Sequence, residues 1–129
     1  MNNQTTYVVL LNWNGWRDTI ACLDSLCAMD HPQVKIVVCD NASSDGSLEK
    51  IRAWCRGDIT PALPADARLQ ATMRSQPSPV PYIDTTASAV HDGSAEAGDA
   101  PLVLIDNQAN LGFAAGNNVG LQYALAQDD

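Results

Sequence analysis

Short apolar runs and spaced apolar stripes alternate along the chain. Tyr7-Val8-Val9-Leu10-Leu11-Asn12 is apolar and β-branched until it ends in a polar residue, the pattern of a parallel strand buried on both faces. Asn14-Gly15 breaks the run. From Trp16 onward the apolar residues Ile20, Leu23, Leu26 and Cys27 fall on one helical stripe. The pattern then returns. Lys35-Ile36-Val37-Val38-Cys39-Asp40 predicts a second buried strand, and Asn41 to Gly46 a turn rich in helix-capping residues. Leu48, Ile51, Trp54 and Cys55 repeat the helical spacing. A third unit starts at Leu102-Val103-Leu104-Ile105-Asp106, turns through Asn107 to Gly112 and continues as a helix from about Phe113 to Gln127. Strand, turn and helix in succession predict an α/β fold with a parallel sheet and right-handed crossovers.

Between the second helix and the third strand lies Gly57 to Pro101, which holds Pro61, Pro64, Pro77, Pro79, Pro81 and Pro101. Ala, Ser, Asp and Thr fill most of the remainder, and such a composition buries little apolar area. A long surface insert, partly disordered, is expected there. Within it Val80-Pro81-Tyr82-Ile83 reads as a short edge strand or as a docked extended segment.

Composition narrows the function. The chain has 129 residues, enough for one domain, and 46% of them are hydrophobic. Fifteen acidic residues stand against seven Lys and Arg, for a net charge of -8. This argues against a nucleic-acid partner, which would need a basic face. A single nucleotide is not excluded, since backbone N–H groups or a helix N-terminus can hold a diphosphate. The N-terminus lacks the basic and apolar regions of a signal peptide, and no apolar run approaches the roughly 18 residues of a membrane span. Cys22, Cys27, Cys39 and Cys55 form no C-x-x-C pair and read as structural free thiols. His31 and His91 lie in loop-like sequence and read as solvated.

The chemistry gathers where strands end. The first strand delivers Asn12 and Asn14, the second Asp40 and Asn41, the third Asp106 and Asn107. In an open parallel sheet these carboxyl ends share one edge, where ligands bind. Asn and Asp also favour turns in their own right, but three such ends in a chain poor in charge point to a binding edge. A carboxylate at Asp40 is an acceptor and suits the imide N–H of uracil or thymine; capping the following turn is its bland alternative. Ser44, Asp45 and Ser47 are candidates to cap the second helix. Gly112, Gly116 and Gly120 recur every four residues. At about 1 kcal/mol each relative to Ala inside a helix, they imply close approach of a ligand or of the sheet.

Three motifs in order resemble family 2 glycosyltransferases: Val8 to Gly15, Val37 to Ser47, and Asn110 to Asn118. The middle one, Asp40-Asn41-Ala42-Ser43-Ser44-Asp45-Gly46-Ser47, looks most like the rhamnosyltransferase-like branch. The resemblance spans nearly all of the chain except residues 57–101, with two strand–helix units in 7–56 and the third in 102–129. It implies the GT-A fold, a three-layer sandwich around a parallel sheet, and a donor that is a nucleotide-diphosphate sugar, dTDP- or UDP-linked. By position, Leu11 and Asn12 line the nucleoside pocket and Asp40, beside Asn41, accepts from the pyrimidine imide. Asp45 sits in the loop closing the nucleoside side, and Asn110, Gly112 and Asn117 border the ribose and diphosphate. The acceptor would be a saccharide or lipid-linked, in a cytoplasmic enzyme or one peripheral at the inner membrane face.

Members of this family carry a further strand ending in an Asp-x-Asp-type motif that binds Mg2+ or Mn2+, and later a carboxylate base. Both are expected beyond Asp129, so these residues are expected to supply the donor half and to be inactive alone. Self-association through an uncovered sheet edge is expected as well. A nucleotide-binding module without catalysis, and a flavodoxin-like or receiver-like interaction domain, are the competing possibilities. The latter suffers because a receiver needs an acidic cluster and a later lysine, and the only lysines are Lys35 and Lys50.

Overall fold

The computed structural model describes residues 5–29, 33–61, 79–95 and 98–127. Within them the chain forms β1 (Thr6–Asn12), α1 (Trp16–Ala28), β2 (Val34–Asp40) and α2 (Ser47–Arg56). It continues as β3 (Tyr82–Thr86), α3 (Ala87–Asp92), β4 (Leu102–Asp106) and α4 (Phe113–Gln127). The sheet is parallel throughout, in the order β1-β2-β4-β3. The α/β class and the three expected strand–helix units are all present.

Period-2 alternation divides the core into two. Ile36 and Val38 of β2, with Leu102 and Leu104 of β4, face Ile20 and Leu23 of α1 and Ile51, Trp54 and Cys55 of α2. Val37 and Cys39, with Val103 and Ile105, face Ala87 and Val90 of α3 and Val119 and Tyr123 of α4. The central strands β2 and β4 are thus buried on both sides, the reason they read as unbroken apolar runs. Helices on both faces give the three-layer sandwich.

Residues 57–101 depart from the expected surface loop. Their second half forms a fourth strand–helix unit, and β3 lies against β4 with Tyr82 opposite Leu102 and Thr86 opposite Asp106. The edge-strand alternative for Val80 to Ile83 is therefore the correct one, shifted to Tyr82–Thr86. Ile83 seals the core, while Arg52 of α2 reaches across to Asp84 at 3.1 Å and also pairs with Glu49. The backbone N–H of Val80 donates to the Cys55 carbonyl at 2.7 Å and leads the chain into the strand. Thr86 caps α3 by accepting from the Ala89 N–H, and Gly93 ends it in a left-handed turn. His91 is consequently helical rather than in a loop, and its Nδ1 hydrogen-bonds Gln122 of α4 at 2.9 Å. With β3 in place β4 is not an edge; in the described sheet β1 and β3 are the outer strands. His31 and residues 62–78 lie outside the described residues.

The spaced glycines have different causes. Gly112 precedes α4 and adopts φ +82, which side chains resist. Gly120 lies inside α4 where a Cβ would stand 2.7 Å from both Cys39 Sγ and Val9 Cγ1. Here the helix rests directly on the sheet. Alanine would add about 1 kcal/mol of helix propensity, but overpacking of this kind costs about 1–3 kcal/mol. Gly120→Ala should therefore lower stability by up to about 2 kcal/mol, read as a lower urea midpoint. A raised midpoint would mean that α4 is not seated this closely.

Candidate functional site

All four strands finish at the same level. Asn12 is paired with Asp40, Asp40 with Asp106, and Asp106 with Thr86. The register therefore lays the polar strand ends in one row along the carboxyl edge of the sheet. Two residues past three of those ends the backbone turns left-handed, at Asn14 (φ 51), Ala42 (φ 59) and Gln108 (φ 66). Left-handed conformations cost a non-glycine residue about 1–2 kcal/mol, so the turns are held by bonds made around them. Ala42 has no polar side chain to offset that strain.

The alternation that divides the core also divides this row. Asn12 and Asp40 continue the face that carries Leu10 and Val38, towards α1 and α2. Leu11, Asn41 and Asn107 continue the other face, towards α4.

On the α1 side lies a compact network. Asp40 is 2% exposed and buries its carboxylate, which is costly unless donors surround it. Oδ1 accepts from Asn12 Nδ2 at 2.7 Å and from Ser43 Oγ at 2.6 Å, and Oδ2 accepts from the Ser43 N–H at 3.0 Å. Asn12 Nδ2 also reaches Ser43 Oγ at 3.2 Å, while Asn12 Oδ1 accepts from the hydroxyl of Thr19 on α1 at 2.6 Å. The two neighbouring turns are laced together. The Asn14 N–H donates to Ser43 Oγ at 2.9 Å, and the Ser44 N–H donates to Asn14 Oδ1 at 2.8 Å.

On the α4 side two amides form a chain. Asn107 Nδ2 donates to Asn41 Oδ1 at 2.7 Å and to the Gly116 carbonyl at 3.3 Å, and Asn41 Nδ2 donates to the Gly112 carbonyl at 3.0 Å. Gly116 is required here, because a Cβ would fall 2.7 Å from the Asn41 side chain and 2.8 Å from Leu11 Cδ1. Its absence of a side chain is explained by packing against the strand ends.

The remaining expected site residues are placed differently. Asp45 is exposed and accepts from the N–H and hydroxyl of Ser47, tightening the entry to α2 around the left-handed Gly46. Asn110 is exposed and accepts from the Gly112 N–H at 3.0 Å. Asn117 donates to the Phe113 carbonyl at 3.0 Å and, with Leu11, Val9, Leu10, Phe113 and Leu121, lines an open groove of about 410 Å3 beside β1. The fold thus brings Asn12, Asp40 and Asn41 into contact with their networks and sets Leu11, Gly112 and Asn117 around the start of α4. Asp45 and Asn110 close local turns. Thr19 was not singled out by sequence reasoning. It is one polar residue within an amphipathic helix, seven positions past Asn12, and nothing in its spacing marks it. Ser43 was visible in the motif but its role was not.

Cys39, packed under α4, adds no reactive group to the site. Burial pushes the Cys39 thiol up to about 11, an effect that the hydrogen bond with the Gly120 backbone only partly offsets, so it stays protonated and inert at neutral pH. The described residues do not fit a divalent cation. They hold no group of three or more His, Cys, Asp or Glu side chains able to coordinate one, Asp40 is committed to its network, and Asp106 Oδ1 accepts from the Gln108 N–H at 2.8 Å. No helix among the described residues is long and apolar enough to cross a membrane.

Residues 7–62 match the family model for glycosyl transferase family 2, as expected for the N-terminal part of such a domain. No curated protein and no solved structure matches the chain. The matched segment contains β1 from Tyr7 onward, α1, β2 and α2, and so the whole α1-side network.

Ser43 joins more members of that network than any other hydroxyl. Ser43→Ala removes a donor to the buried carboxylate and an acceptor for the Asn14 N–H. A stability loss of about 1–3 kcal/mol is expected, measurable by thermal or chemical denaturation; a loss below about 0.5 kcal/mol would mean the network is not closed as described.

Proposed function

We propose that these residues form the donor-nucleotide-binding part of a family 2 glycosyltransferase domain, with the Asn12–Asp40–Ser43 network at its centre. The observation that supports this best is the position of that network. It lies within the segment matched to the family, on the carboxyl edge of a parallel sheet where ligands of such folds sit.

The network suits a pyrimidine. Two donors fix Asp40 Oδ1, and Oδ2 accepts from the Ser43 N–H, so Oδ2 has a further lone pair for an imide N–H of uracil or thymine. Because Asp40 is so nearly covered, the base reaches it when the Asn41–Gly46 turn opens, taking Ser43 with it while Asn12 Nδ2 on β1 keeps Oδ1. Ala42, held at φ 59, is the strained point about which the turn would move. Leu11 offers an apolar wall to the nucleoside, and the turn leading into α4 through Asn110 and Gly112 borders the ribose and diphosphate. Asn117 lies one helical turn further on.

In the full reaction the donor would be a dTDP- or UDP-linked sugar, and the acceptor a saccharide or a lipid-linked sugar, as in surface polysaccharide assembly by a rhamnosyltransferase-like enzyme. The work would take place in the cytoplasm or at the inner membrane face. Mg2+ or Mn2+ would be held by residues other than those described and would supply positive charge to the diphosphate.

Calorimetric titration of the chain with UDP and dTDP, against ADP as control, tests the nucleotide assignment. Saturable binding of a pyrimidine diphosphate, weaker for ADP, is expected. Asp40→Ala should weaken it by about tenfold or more, the loss of one charge-assisted hydrogen bond. Absence of binding to both pyrimidine diphosphates would overturn the assignment, and full affinity in the variant would remove Asp40 from the site.

A further inference from the structure

The polar network has one member that belongs neither to a strand end nor to a turn. Thr19 is the fourth residue of α1, and its backbone N–H donates to the Gly15 carbonyl at 3.0 Å as an ordinary helical bond. A helical threonine hydroxyl commonly bonds back to the carbonyl of the preceding turn. The Thr19 hydroxyl instead donates out of the helix to Asn12 Oδ1 at 2.6 Å. Asn12 is 1% exposed, so water does not compete freely for that oxygen.

The consequence is directional. A primary amide has one acceptor side and one donor side, and a half-turn exchanges them. With Oδ1 committed to Thr19, Nδ2 is left facing Asp40 Oδ1 at 2.7 Å and Ser43 Oγ at 3.2 Å. Ser43 Oγ then turns its own proton to Asp40 Oδ1 at 2.6 Å. Remove the Thr19 hydroxyl and Asn12 Oδ1 becomes a buried acceptor without its donor. The relief available to it is to turn towards the Ser43 hydroxyl, which would take both side-chain donors away from Asp40 Oδ1. The carboxylate would then be free to rotate or to recruit other donors, and Oδ2 would lose its fixed direction.

We infer that Thr19 is a positioning residue: through Asn12 it fixes the donor side of the network so that Asp40 presents Oδ2 to a pyrimidine imide and selects uracil over cytosine. This rests on the nucleotide-binding function proposed above. Uracil and cytosine differ at the decisive atom, since N3 of uracil carries a proton and N3 of cytosine is an acceptor that a carboxylate repels. A loosened Asp40 would thus lose discrimination as well as affinity.

The experiment compares UDP and CDP affinities in the wild-type chain and in Thr19→Val and Thr19→Ser, by calorimetry, with circular dichroism to monitor folding. Expected are a UDP preference in the wild type, a UDP affinity about tenfold weaker in Thr19→Val with a UDP-to-CDP ratio falling towards one, and recovery of that ratio in Thr19→Ser. A threonine that served only to stabilise the fold would weaken both ligands by the same factor, and an unchanged ratio in Thr19→Val overturns the inference. Should Thr19→Val not fold, Thr19→Ser against Thr19→Cys makes the same comparison between a strong and a weak donor. Equal ratios in that pair overturn the inference too. The two levels separate cleanly. If Asp40→Ala abolishes a wild-type UDP preference while Thr19→Val retains it, only the role of Thr19 fails. If the wild type binds no UDP, both fail together.

Discussion

The structure depends on a register. Four parallel strands end flush, so that Asn12, Asp40, Asp106 and Thr86 are consecutive partners across the sheet. A strand shifted by one residue would turn its whole apolar set to the wrong helix layer. Both faces of β2 and β4 are buried, so that error would be expensive and the register is strongly fixed. The polar row at the carboxyl edge is therefore a by-product of the core. The same packing that places Val38 under α1 and α2 places Asp40 at the end of that face, and the packing that places Cys39 under α4 places Asn41 at the end of the other.

Burying that row creates a second constraint, which is hydrogen bonding. Asn12, Asp40, Asn41 and Asn107 are all buried, and each unsatisfied polar atom there would cost about 1–3 kcal/mol. For every side-chain atom of that row but Asn107 Oδ1, which is left without a partner among the described residues, the chain meets this with local turns whose own backbone is strained and with partners brought from a distance. Ser43 and Thr19 serve one face, and the carbonyls of Gly112 and Gly116 serve the other. The second set is reachable only because α4 comes down onto the strands without a side chain at Gly116 or Gly120. Glycine spacing and amide network are thus one device. The helix must approach closely for its first carbonyls to meet Asn41 and Asn107.

Much of this was legible in the sequence, and the exceptions have physical causes. β2 and β4 announce themselves because strands buried on both faces are uninterrupted apolar runs, and β1 because its run is equally apolar although it is an outer strand. α1 and α2 do so because a single face of each is apolar. α4 carries apolar residues around its circumference, with Phe113, Leu121 and Leu125 exposed, and is legible from its place after the third strand and its turn. β3 is only half legible, its start visible at Tyr82 and Ile83 as one of two alternatives, because it is an edge strand of five residues following a proline, with Asp84, Thr85 and Thr86 in its second half. α3 is hidden because six residues are too few to show a period. At the site, Asn12, Asp40 and Asn41 could be named from their place at strand ends. Thr19 could not, because its contact with Asn12 is set by the angle at which α1 leaves the sheet and not by any local pattern. Gly116 and Gly120 showed that something comes close, but residue type alone could not decide between ligand and sheet. The distances to Leu11, Asn41, Val9 and Cys39 settle it for the sheet.

The division of the edge into two networks bears on how such a site could work. Asp40 and Asn41 are adjacent in the chain yet face opposite layers, so a change at one is transmitted to the other through a single peptide. On the α1 side the groups are a carboxylate, an amide and hydroxyls, with directional and acceptor character suited to reading a base. On the α4 side they are amides bound to main-chain carbonyls, a rigid arrangement that fixes where the helix begins. In the proposed function, reading and anchoring would therefore be carried by different faces of the same strand end. The turn from Asn41 to Gly46 is the one element common to both, since it starts at the anchored Asn41, contains the strained Ala42, and supplies Ser43 to the carboxylate. Movement of that turn can expose Asp40 while the Asn41–Gly112 bond holds the helix in place, which is the mechanical requirement for admitting a ligand to a buried acceptor without loosening the core beneath it.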